Sequence, residues 1–85
     1  FNSEGWKSAD HWGNERCAML ADLRMRIGIN GKTRAELFDL LGPDENDSTD
    51  ASLSQWRLCP SFMDIWILEV RWNNDVANNS WVRDT

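Results

Sequence analysis

Eighty-five residues make one small domain with no room for a second core. A hydrophobic share of 41% excludes disorder over most of the length. The net charge is −5, and basic residues such as Lys7, Arg16, Lys32 and Arg57 are scattered, which excludes nucleic acid as the natural partner, since phosphate binding needs a clustered cationic face.

Six tryptophans and no tyrosine read first as filling for a small core. No run of about 18 apolar residues exists, so no transmembrane helix is expected. The chain opens on Phe1 rather than methionine, which reads as a fragment or a processed form. Cys17 and Cys59 allow one bridge. In an oxidising compartment it would close a long loop worth roughly 3–4 kcal/mol. In a reducing one the two are small apolar residues. Both readings stay open at this point.

Residues 1–13 are polar, with two glycines and two tryptophans, and read as an N-terminal arm. Residues 14–85 form the domain. Trp6 and Trp12 are expected to pack back onto it or onto a partner. Asn14 is the expected cap of a first helix, with Glu15 in its first turn. Leu20, Leu23 and Ile27 recur on one stripe, which Arg16 completes at its start. Gly28 ends that helix. After Ile29-Asn30-Gly31 comes a second, short helix. Thr33 and Glu36 have the spacing of a capping box. Leu37, Leu40 and Leu41 share one side, with Phe38 flanking them, and Gly42-Pro43 forbids another turn.

Asp44 to Ser54 holds Asp44, Glu45, Asp47 and Asp50 with no basic residue, and reads as a solvated, mobile loop. It lacks the ordered ligands of a calcium loop. Leu53 to Cys59 alternates, with Trp56 and Leu58 facing one way and Gln55 and Arg57 the other. Ile65 to Trp72 is the strongest strand: Trp66, Leu68, Val70 and Trp72 face one side, Ile65, Ile67, Glu69 and Arg71 the other. Asn73-Asn74-Asp75 is a turn, and Val76 to about Arg83 a third strand with Trp81 as its aromatic anchor. Two helices followed by three strands predict an α+β fold in which the helices cover one face of an antiparallel sheet.

The chemistry-bearing motifs thin out on inspection. Gly31-Lys32-Thr33 is not a phosphate loop, because Arg26 stands where that loop needs its first glycine. His11 is the only histidine and has no companion at metal-ligand or catalytic spacing. Asn46-Asp47-Ser48 and Asn78-Asn79-Ser80 match the glycosylation sequon, which matters only in a eukaryotic secretory protein. No catalytic residue, metal site or cofactor is expected.

The run Met19…Leu23, Gly31-Lys32-Thr33-Arg34-Ala35-Glu36…Leu40-Leu41-Gly42-Pro43, Trp56-Arg57-Leu58 and Asp64-Ile65-Trp66-Ile67-Leu68 resembles the SmpA/OmlA (BamE-like) domain of small bacterial envelope lipoproteins. The same ααβββ unit is the half-repeat of β-lactamase inhibitory proteins. The resemblance implies a periplasm-facing module without known chemistry, tied to outer-membrane assembly or to binding other proteins. A membrane tether would lie in a lipidated segment ahead of Phe1, removed or missing. The expectation is therefore a non-enzymatic module of the cell envelope, periplasmic or outer-membrane-anchored, with the cytoplasm as the alternative. It binds protein partners, or a second copy, through strand edges or the face carrying Ile65, Ile67, Glu69 and Arg71. The competing expectation is a small-ligand module for carbohydrate or lipid, with Trp6, Trp12 and Trp81 as a stacking platform.

Overall fold

Residues 1–10, 12–45 and 50–84 are described by a computed structural model. Thr33 and Glu36 cap one another as their spacing predicts. The Glu36 N–H donates to the Thr33 hydroxyl at 3.1 Å, and the Thr33 N–H donates to the Glu36 carboxylate at 2.9 Å. The Thr33 N–H, and after it the Thr33 hydroxyl, hold that carboxylate below its usual pKa range. A helix over Arg34–Leu41 follows, and Gly42 ends it at φ 84, ψ 177, a conformation that side chains forbid. This helix is the third in the chain, α3. Leu37 and Leu41 are buried and Leu40 is half-buried. Phe38 does more than flank them. Its ring meets Trp56 and Trp72 edge-on, at 5.8 and 6.4 Å between centroids.

Helix α2 spans Glu15–Asp22 and widens into a π-helical turn over Leu23–Ile27. The turn is closed by the Gly28 N–H on the Leu23 carbonyl at 2.7 Å. Asn14 precedes α2 but makes no side-chain cap, contrary to expectation. With φ −109 and ψ 9 it is not in the extended conformation that aims a side chain at the first free N–H groups. The expected arm, residues 1–13, contains a helix of its own, α1, over Ser3–Ser8. Asn2 caps it through the Gly5 N–H at 3.1 Å, and Trp6 on it is fully buried in the core.

The sheet has the order β1-β2-β3, with β1 at Leu53–Pro60, β2 at Ile65–Asn73 and β3 at Val76–Asp84, all antiparallel. Asn74 and Asp75 take positive φ, 53 and 61, and close the β2–β3 hairpin, as asparagine and aspartate allow. A register shift between Arg57 and Cys59 turns both Leu58 and Cys59 inward. Cys59 is bridged to Cys17 of α2, with 5.9 Å between Cα atoms. The helices cover one sheet face, where Trp56, Leu58, Leu68, Val70, Trp72 and Ala77 form the core with Leu23, Ile29, Leu37, Leu41 and Trp6. The indoles of Trp56 and Trp72 donate to the Gly42 carbonyl and the Ser54 hydroxyl, at 3.1 and 2.8 Å.

Two aromatic positions differ from the alternation argument. Trp66 is 40% exposed, because its pair with Asp84 is the last of the β2–β3 ladder and its pair with Cys59 is one short of the end of the β1–β2 ladder. Trp81 is not the anchor of β3. It stands opposite Glu69 on the other face, and Ala77 with half-buried Val82 fills the core side.

Arg16 joins the layers. Only 4% exposed, it donates from Nε to the Trp6 carbonyl (2.9 Å) and from Nη1 to both Glu45 oxygens (3.0 and 3.1 Å) and the Arg57 carbonyl (2.8 Å). Asp44 and Glu45, expected in a solvated loop, instead occupy the outer edge of β1. The Gln55 N–H donates to Asp44 Oδ1 and its carbonyl accepts the Glu45 N–H, both at 2.9 Å. The Arg57 N–H donates to Glu45 Oε1 at 2.8 Å. On the outer edge of β3, Gly31 and Lys32 exchange two main-chain bonds with Ala77, both at 2.8 Å.

Candidate functional site

Alternation along three strands sends one set of side chains away from the helices. Register places them in rows: Gln55, Glu69 and Trp81; Arg57, Ile67 and Arg83; Leu53, Arg71 and Asn79. Glu69 is the centre of the first row. It is 7% exposed and accepts from the Gln55 side-chain amide and from Arg83 Nε and Nη2 at 3.3 and 3.1 Å. Burial is the largest single influence on its carboxyl and pushes the pKa up. The hydrogen bonds from Gln55 and Arg83, with the arginine's charge, outweigh it and hold the pKa below the usual range. Arg71 lies over the Trp81 ring, 5.9 Å from its centroid. Arg83 thus pairs with Glu69, while Arg57 shares its end of the face with Asp64 and Arg71 lies close enough to Asp50 for its charge to lower that carboxyl's pKa.

The expected contact surface is only partly open. Ile67 is 3% exposed, not a surface residue, because Arg57 and Arg83 flank it on both neighbouring strands and long arginine stems shade a central-strand side chain. Glu69 is buried as described. Ile65 is half-buried and Arg71 is exposed. The expected ligand platform also divides. Trp6 is in the core and cannot stack on a ligand, Trp81 is half-buried under Arg71, and Trp12 is 78% exposed. These three indoles do not form a row.

Trp12 instead lines a cavity of about 640 Å³ where this face ends at the β1–β2 connection. Pro60, Phe62, Met63 and Ile65 supply the rest of its apolar wall, and Arg57, Ser61 and Asp64 its polar groups. Phe62 and Met63 are 97% and 87% exposed. The signal for them was in the sequence: two adjacent large apolar residues in a connection, where polar residues are the rule. Gln55 and Arg57 were placed on this face by alternation; Arg83 and its pairing with Glu69 were not foreseen.

Among the described residues, no group of three or more histidine, cysteine, aspartate or glutamate side chains could hold a metal ion. Among them too, no helix is long and apolar enough to cross a membrane. His11 and the sequon at Asn46 lie outside the described residues. No protein-family profile, curated protein or solved structure matches the chain.

Proposed function

We propose that this chain is a non-enzymatic interaction module of the bacterial cell envelope that binds protein partners through the helix-free face of its sheet. One observation carries the reading. Arg57, Arg71 and Arg83 with Trp81 gather three guanidinium groups and an aromatic ring on one face of an otherwise acidic domain. Arginine and tryptophan are the residues that most often dominate interface energetics. The partner surface that complements them is acidic. The envelope part rests on the resemblance to the SmpA/OmlA domain. It is supported by the Cys17–Cys59 bridge, which belongs to oxidising compartments such as the periplasm.

The test is a selection of random displayed peptides on the folded domain, followed by measurement of binding to a variant carrying Arg71→Ala and Trp81→Ala. Neither side chain is in the core, so the variant keeps the fold. Selected peptides should be rich in aspartate and glutamate and should lose at least about tenfold in affinity, the scale of one good interface contact. Equal binding to the variant refutes the reading. A second reading, a small-ligand module, is favoured by the cavity beside Trp12, whose volume lies within the range of small-molecule sites.

A further inference from the structure

We infer that the cavity at the β1–β2 end binds a small organic monoanion with an apolar body. This rests on the small-ligand reading and names its chemistry. The wall is apolar and uncovered: Trp12, Phe62 and Met63 are largely exposed, and Ile65 and Pro60 line the floor. An apolar body laid there removes both surfaces from water. The polar groups decide the rest. The Ser61 hydroxyl donates to Asp84 at 2.9 Å, and Asp64 Oδ1 accepts the Ile65 N–H at 3.1 Å. The Arg57 main chain is held by Glu45 and Arg16, but its guanidinium makes no hydrogen bond or ion pair among the described residues.

A guanidinium at the rim of an apolar cavity presents a planar fork of donors with no acceptor of its own. The complementary ligand group is a carboxylate or sulfonate, which takes two parallel hydrogen bonds from that fork. Asp64 puts a negative charge on the same rim. That disfavours a doubly charged phosphate and leaves a monoanion as the best match. A neutral amphiphile satisfies the wall but leaves Arg57 without an acceptor.

Octanoate and octanol separate these terms, since they share a chain and differ in charge. Each is titrated into ¹⁵N-labelled protein while the Trp12 indole and the amides of residues 61–65 are followed. Octanoate should shift these signals saturably and bind at least fivefold more tightly than octanol. Arg57→Gln should erase that difference by weakening octanoate binding more than octanol binding. A Phe62→Ser, Met63→Ser variant should weaken both. Because all three side chains are exposed, the variants keep the fold. Octanoate binding no tighter than octanol, or a preference that survives Arg57→Gln, overturns the monoanion assignment while the cavity remains a ligand site. If neither compound moves these signals, the small-ligand reading fails with it.

Discussion

Replacing Arg16 with methionine keeps most of the side chain's apolar volume and removes its donors. The guanidinium is 5% exposed and serves four acceptors: both Glu45 oxygens, the Trp6 carbonyl and the Arg57 carbonyl. Its carbon also sits 5.0 Å from the Trp6 ring centroid. In Arg16→Met the Glu45 carboxylate, 22% exposed, loses its cation, and two carbonyls lose a donor. Breaking a buried pair from one side costs about 3–5 kcal/mol. A domain of this length has a total stability of about 4–13 kcal/mol, so the variant should lose between about a quarter and all of it. Urea titration followed by tryptophan fluorescence reads the loss. Arg16→Met with Glu45→Gln should recover at least about 1 kcal/mol of it, because glutamine keeps an acceptor for the Arg57 N–H and carries no stranded charge. A single-variant loss under about 1 kcal/mol would mean that water replaces the guanidinium without penalty, and the account of Arg16 as the joint between layers would be wrong.

Two further outcomes follow from the structure. Reducing the Cys17–Cys59 bridge, with a sequence separation of 42, frees a loop whose closure is worth about 4 kcal/mol on the chain-entropy account. The urea midpoint should fall and the m value rise as the unfolded chain expands; a change below about 1 kcal/mol would contradict this. Glu69 has a depressed folded pKa, so its contribution is present above the unfolded value near 4.3 and is lost as pH falls through the lower folded value. Glu69→Gln should therefore be less stable at pH 7 and lose less stability than the parent on acidification below about pH 4.3. Identical acid limbs in urea midpoints would refute the role given to Gln55 and Arg83.

Local rules carried the reading of the chain wherever one residue type meets one backbone need. The Thr33–Glu36 box, the stop at Gly42, the Asn74-Asp75 turn and the alternation of Trp56 with Arg57 all follow from short-range chemistry. The misreadings come from tertiary context. Ser3–Ser8 is too short and polar to announce a helix, and it holds because Trp6 finds a pocket in the core. Asp44 and Glu45 look like solvated acids until the unpaired groups of β1 are counted. Alternation put Trp66 inside and Ile67 outside. It fixes the side of the sheet but says nothing of where the helix layer ends or which neighbours shade a position. Nor could spacing show Cys17 beside Cys59, since the residues between them set the distance.

The treatment of the two sheet borders also limits how this protein can associate. Along Gln55 and Arg57 every outward amide and carbonyl is already occupied by Asp44, Glu45 or Arg16, so an incoming strand finds nothing to join there. The opposite border is occupied at Ala77, and beyond it no main-chain bond from outside the sheet reaches β3 among the described residues. Growth by strand addition has a single docking side, and two copies meeting there would use it up. Pairing through that border alone would terminate at a dimer.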